Sequence, residues 1–356
     1  MTFRSSTAID TSPATAAEAA QMAVEGGLLY VSCNEPGIRR MRANKGFYYL
    51  TPANRRLTSA HELRRIASLA VPPAYKDVWI CVSPRGHLQA TGHDARGRKQ
   101  YRYHPQWRQL RDSAKFDRMV AFGEALPKLR RKLNRDLALA ELPRDKVLAA
   151  VVALLDTTRA RIGNVEYARD NRSFGLTTLR NRHVTFVRDG RAVLRFRGKG
   201  GVPHEIPIGD KRIVRIVQQC QELPGQHLFQ YLADDGSRCR VGSGQVNDYL
   251  RDAMGDDFTA KDFRTWGATL RAFMLIARIP RQSDASERAL KQAIAGVVKQ
   301  VASELRNTPA VCRKSYINPV VFDRWRSGAI HKALSGTPAP VSRRKAETLV
   351  RNLLLV

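Results

Sequence analysis

The spacing of apolar residues changes at Pro105 from a β-type to a mainly helical period, and a chain patterned in this way reads as two unlike parts. Between residues 29 and 104 the apolar residues fall in short β-type runs, at 29–32, 47–51, 78–83, 88–91 and 100–103. Turn residues separate the runs, and one helix is predicted at 59–69. Beyond Pro105 the spacing becomes helical. Residues 107–122 and 124–139 predict amphipathic helices with basic outer faces, and residues 144–155 a largely buried one. The fold class that follows is α+β: a small β-rich N-terminal domain, 29–105, and a larger, mostly α-helical domain, 106–334. Residues 1–28, rich in Ala, Ser and Thr, read as a mobile tail with a short helix at 14–24. Residues 335–342 form a Ser/Gly/Thr/Pro linker to a terminal helix.

One β segment interrupts the helical part. Residues 184–188, the Asp189-Gly190 turn and residues 192–196 predict a hairpin with a type I′ turn. It leads into Arg197-Gly198-Lys199-Gly200-Gly201, a glycine-rich tip carrying one lysine. The phosphate-loop spacing Gly-x-x-x-x-Gly-Lys-Ser/Thr is absent and no helix is predicted to begin there, which argues against nucleotide binding. Helices resume at 210–223, 244–254, 260–276, 285–305 and 319–334, and residues 159–167 read as the start of another.

The 356 residues carry 61 Lys and Arg against 32 Asp and Glu, a formal charge of +29, so the expected partner is a polyanion, with nucleic acid leading. The basic residues run through the whole body and no apolar run reaches a membrane span, so no membrane partner is expected. Cys33, Cys81, Cys220, Cys239 and Cys312 are scattered without Cys-x-x-Cys spacing and read as reduced thiols of a cytoplasmic protein. Asp234-Asp235 and Asp256-Asp257 sit in glycine-flanked, turn-like settings and read as solvated turns, not metal ligands.

Cleavage of a phosphodiester needs a nucleophile, neutralisation of the non-bridging oxygens and a proton for the leaving alkoxide. Without clustered carboxylates to hold metal, arginine forks must supply the charge. Tyr316 is the candidate nucleophile, within Asn307-Thr308-Pro309-Ala310-Val311-Cys312-Arg313-Lys314-Ser315-Tyr316. A phenol titrates near pH ~10 and needs help to react at neutral pH. Arg98 and Lys99, followed by Gln100, Tyr101 and Tyr103, join cations to alternating aromatics, a pattern suited to phosphates and sugars and equally to an ordinary strand with a buried tyrosine face.

Arg161-x-Gly163 followed by Tyr167, Gly198-Lys199 after the hairpin, Lys261-Asp262-Phe263-Arg264-Thr265, and Asn307-Thr308-Pro309 with Lys314-Ser315-Tyr316 together resemble the type IB DNA topoisomerases of the compact poxvirus-like bacterial kind. The segment Gly97 to Tyr103 resembles the DNA-contacting strand of that family's N-terminal domain, and the likeness spans residues 29–333. The resemblance implies a catalytic domain of the tyrosine recombinase/topoisomerase IB type, closing with the N-terminal domain as two lobes around duplex DNA, as a monomer. It implies that Tyr316 forms a 3′-phosphotyrosyl link, that Arg161 and Arg264 hold the phosphate oxygens, and that Lys199 is the general acid, with Lys261 as a helper. Arg98, Lys99, Gln100, Tyr101, Tyr103 and Tyr167 would contact DNA. Asn307 stands where eukaryotic and poxviral relatives carry histidine; an amide can donate a hydrogen bond but cannot carry charge or exchange a proton. Asn164 and Glu166 stand where poxviral relatives have basic residues, so strict recognition of the poxviral target sequence is not expected. The expected reaction nicks one strand, allows rotation and reseals, with no ATP, metal or other cofactor. The rival readings are a tyrosine recombinase, against which Lys261 to Thr265 lacks a His-x-x-Arg pattern, and a non-catalytic basic DNA-binding protein.

Overall fold

A computed structural model describes residues 13–95, 97–255, 258–280, 286–336 and 340–355, without the side chains of residues 13–16, 18, 112–115 and 167. The chain divides into two compact units, Met1–Lys115 and Phe116–Val356, so the division falls ten residues beyond the change of period. The architecture is α+β: a β-sheet in the smaller unit, helices dominating the larger.

The first unit contains α1 (Pro13–Glu25), β1 (Ile38–Arg42), β2 (Phe47–Leu50), α2 (Ala60–Ser68), β3 (Lys76–Ile80), β4 (Leu88–His93), β5 (Lys99–Tyr103) and α3 (Pro105–Asp117). Its five strands form an antiparallel sheet in the order β2-β1-β3-β4-β5. The core under α2 is Ile66 against Ile38, Val78, Ile80 and Ala90. Strand β1 escapes the apolar pattern because its sequence is Ile-Arg-Arg-Met-Arg; Arg40 is tied down by donating to the carbonyls of Val71, Pro72 and Tyr75. Residues 29–32, expected as a strand, contribute only an isolated bridge from Leu29 to Gly86. The described part of segment 1–28 is helical through α1, and Ala19, Ala23 and Leu28 pack with Trp107 of α3 in a small core of their own, so it is built into this unit; residues 1–12 lie outside the described residues.

The second unit runs α4 (Met119–Leu137), α5 (Arg144–Thr158), α6 (Val165–Asn171), β6 (Val184–Val187), β7 (Arg191–Arg197), β8 (Pro203–Ile208), α7 (Lys211–Glu222), β9 (Gln230–Leu232), β10 (Arg238–Arg240), α8 (Ser243–Met254), α9 (Asp262–Ile276), α10 (Glu287–Glu304), α11 (Pro309–Ser315), α12 (Val320–Arg326), α13 (Ala329–Leu334) and α14 (Arg343–Leu354). Helices α5 and α9 are buried almost all round, as their unbroken apolar runs require, and the rest pack about them. Strands β6, β7 and β8 form an antiparallel sheet with β7 central. Asp189 and Gly190 have φ of 67° and 66°, the left-handed pair a type I′ turn needs. The helix expected over 319–334 is broken at Gly328, φ 82°, into α12 and α13. The terminal helix α14 buries Ala346, Leu349 and Val350 against this unit. Arg130 of α4 ties it down by bonding both Asp156 of α5 and Glu347 of α14.

Candidate active site

The site is built where α10 ends. Leu305 closes the helix, the N–H of Arg306 donates to Ser303 O at 3.1 Å, and the N–H of Asn307 donates to Ala302 O at 2.9 Å. This is a Schellman turn, and its left-handed position is filled by Arg306, φ 54°, where glycine is the usual choice. The turn presents two acceptors. The Leu305 carbonyl takes a bond from Arg264 Nη2 at 3.1 Å, and Asn307 Oδ1 takes one from Arg161 Nη2 at 2.8 Å. Thr308 then caps α11, with Pro309 in its first turn, and the helix delivers Tyr316 at its C-terminal end.

Helix α9 fixes both Arg264 and the Tyr316 backbone. Thr269 Oγ1, fully buried, donates to Tyr316 O at 3.2 Å and accepts the Asn318 N–H at 3.0 Å. Arg264 is only 4% exposed, its Nη1 donates to the carbonyl of Arg159, and its guanidinium carbon lies 5.0 Å from the centre of the Tyr316 ring. Arg161 does not begin a helix, contrary to the sequence expectation. Arg159 turns left-handed, φ 57°, which ends α5, and α6 starts only at Val165, leaving Arg161 on the connecting loop. Lys199 sits in the tight turn from Gly198 to Gly201 that joins β7 to β8.

Electrostatics ties the four together. Burial alone would raise the Tyr316 phenol, but Arg264 and Arg161, a hydrogen bond from Arg264, and Lys199 outweigh it and leave the phenol below its ordinary value. Burial, then the neighbouring Arg264, pushes Arg161 down to about 10, with Tyr316 opposing. Lys199 is exposed as a residue, yet its ammonium is held below the lysine range by burial first and then by Arg161, with Arg264 adding to it. Asn307 Nδ2 and Arg264 Nε are buried without a hydrogen-bond partner among the described residues, so two donors remain for an anion. Lys261 stands exposed at the start of α9, and its ammonium has no ion pair or hydrogen bond among the described residues.

Of the residues expected to contact DNA, Arg98, Lys99, Gln100, Tyr101 and Tyr103 lie on or next to β5, and Tyr167 lies in α6. Tyr101 and Tyr103 are stacked at 6.1 Å, and burial raises the Tyr103 phenol to about 12. Lys99 donates to Cys33 Sγ at 3.0 Å and lies 6.0 Å from the Tyr101 ring. Arg98 is paired with Asp94 at 2.6 Å, and Gln100, expected to face DNA, is instead buried with its amide donating to the same carboxylate at 3.0 Å. The Tyr167 side chain lies outside the described residues. Asp94, Arg159 and Thr269 were not legible as site residues. The one signal was Thr269 itself, a polar residue in an otherwise apolar helical run. Asp235, of the acidic pair near β10, accepts the Ser237 N–H in a turn.

Comparison with known proteins identifies the family. Residues 104–328 match the family described as eukaryotic DNA topoisomerase I, catalytic core. Residues 46–94 match that described as bacterial DNA topoisomerase IB, N-terminal domain. DNA topoisomerase 1B of Acanthamoeba polyphaga mimivirus is 32% identical over 296 residues, 82% of this chain and 88% of the viral protein. DNA topoisomerase 1B of Vaccinia virus (strain Copenhagen) is 24% identical over 255 residues, 70% of this chain and 75% of its own. With the catalytic-core match covering more than half of the sequence and taking in the arginines, lysine, asparagine and tyrosine gathered above, the chain belongs to the type IB DNA topoisomerases, isomerases that act on DNA topology.

Proposed function

We propose that the chain relaxes supercoiled duplex DNA through a 3′-phosphotyrosyl intermediate on Tyr316. The observation that carries the reading is the contact of the Tyr316 ring with Arg264, 5.0 Å from ring centre to guanidinium carbon, with Arg161 and Lys199 adding to the field that lowers the phenol. A partly buried phenol surrounded by cations gives up its proton more readily and stays next to the groups that can hold a phosphate.

In this mechanism the Tyr316 oxygen bonds to phosphorus as the bond to the 5′ oxygen breaks. Arg161 and Arg264 hold the non-bridging oxygens, Asn307 donates its free amide hydrogen, and Lys199 gives a proton to the leaving oxygen. The free end rotates, and its 5′ hydroxyl attacks the phosphotyrosine to reseal the strand. Because that link conserves the bond energy, no ATP is consumed, and the arginine forks take the charge-neutralising role that metal ions play in many nucleases. The cations and aromatics of β5 support non-covalent contact with duplex DNA, and the chain acts as a monomer.

The test is relaxation of supercoiled plasmid in EDTA without ATP, wild type against Tyr316→Phe. Relaxation by the wild type alone, with a protein–DNA adduct trapped on denaturation, is expected. Failure of the wild type, or equal relaxation by the variant, would refute the reading. Site-dependent joining of two duplexes would instead identify a recombinase, and salt-sensitive binding with no adduct a non-catalytic binder.

A further inference from the structure

We propose that His204 is a positioning residue for Lys199, bracing the Gly198 to Gly201 turn so that the ammonium meets the 5′ leaving oxygen. The inference rests on the general-acid role given to Lys199 above. Strand β8 alternates, with His204, Ile206 and Ile208 turned to the core, so a histidine occupies the inward place nearest the turn. It pairs across the sheet with Phe196, and the two rings stack at 4.9 Å and 5°.

The ring also lies against the first residue of the turn. A Cβ added to Gly198 would stand 2.5 Å from His204 Nε2, and Gly198 has φ of −92°, which any residue can adopt. Glycine is therefore required there by the approach of the ring, not by the backbone angle. The other end of the turn is less crowded: Gly200 and Gly201 have φ of 75° and 76°, nothing lies within 4 Å of a Cβ placed on Gly200, and one on Gly201 would meet only Arg197 Nη2, at 3.6 Å. The turn is thus anchored on one side by the histidine and open on the other, with Lys199 at the joint between them.

The chemistry of the ring suits the place. Burial, then Arg161, Arg264 and Arg306, pushes His204 down to about 4, so at neutral pH it is an uncharged plate and adds no further cation beside the lysine. The proton it helps to place travels from Lys199 Nζ to the 5′ oxygen as the phosphorus–oxygen bond breaks, leaving a neutral amine. A misplacement of the acid by about 1 Å can cost roughly 10²-fold in rate.

The experiment compares single-turnover cleavage of ordinary duplex DNA with cleavage of the same duplex carrying a bridging 5′ phosphorothiolate, whose thiolate leaves without a proton. His204→Ala and Lys199→Ala are both expected to slow the ordinary substrate, His204→Ala by roughly 10²-fold, and largely to spare the phosphorothiolate. Gly198→Ala, which removes nothing from the core but pushes the ring and turn apart, is expected to show the same selectivity and keeps the test available if His204→Ala fails to fold. Equal slowing of both substrates by His204→Ala or Gly198→Ala, or slowing of neither, overturns the proposal. A wild-type protein that forms no adduct on either substrate removes the nucleophile reading on which the proposal stands.

Discussion

Arg264 has two tasks in the structure, and Arg264→Lys separates them. One guanidinium holds the carbonyls of Arg159 and Leu305, which fastens the end of α5 to the turn after α10, and it also lies over the Tyr316 ring. Lysine keeps the charge but cannot span both carbonyls. Losing one buried, charge-assisted bond should cost about 1.5 to 3 kcal/mol. For a unit of this size that is a fall in melting temperature of roughly 3 to 12 °C. Losing the fork at the phosphate should cost about 10²- to 10³-fold in cleavage, the scale of removing one preorganised donor from an oxyanion site. The assays are thermal melting and single-turnover formation of the covalent adduct on a short duplex, at temperatures well below the lowered transition. A variant that melts early yet cleaves at close to the wild-type rate would show that Arg264 only fastens the scaffold, and would refute its assignment to the phosphate.

Two further outcomes follow from the same geometry. A general acid must be protonated to act, so cleavage should decline as pH rises through the Lys199 value, and because burial and Arg161 lower that value the decline should begin below the ordinary lysine range, near ~10.4; a pH–rate profile of Lys199→Ala should lack this limb, and its persistence would assign the limb elsewhere. Arg306 holds the left-handed position of the turn at φ 54°, so Arg306→Gly should stabilise the fold by about 1 kcal/mol, read as a higher midpoint in denaturant with an unchanged slope, and a lower midpoint would show that the arginine side chain stabilises more than its backbone costs.

Much of the scaffold was legible because it is local. The change of period at Pro105 and the Asp189-Gly190 turn depend on residues close to one another in the chain, and the sequence states them directly, whereas the short helix α11 was not expected. Strand β8 was not legible, since Pro203-His204-Glu205-Ile206-Pro207-Ile208 hides its alternation behind two prolines; an edge strand tolerates them because one side of its backbone needs no partner. The docking of α14 depends on Arg130, Asp156 and Glu347, which stand far apart in sequence.

The site shows the same division. Sequence by itself determined that a tyrosine, two arginines, a lysine and an asparagine recur in a recognisable order, and that the charge of the chain calls for a polyanion. Position along the chain could not say which cations reach the phenol; only the family resemblance pointed to Arg161, Arg264 and Lys199. Arg313 and Lys314, nearest to Tyr316 along the chain, are exposed on α11, whereas Arg264, fifty-two positions away, lies over its ring. Tertiary structure decided this, because a charge acts through space: α9 fixes Arg264 and the tyrosine backbone together, the turn after α10 holds Arg161 through Asn307, and a buried histidine stands under the turn that carries Lys199.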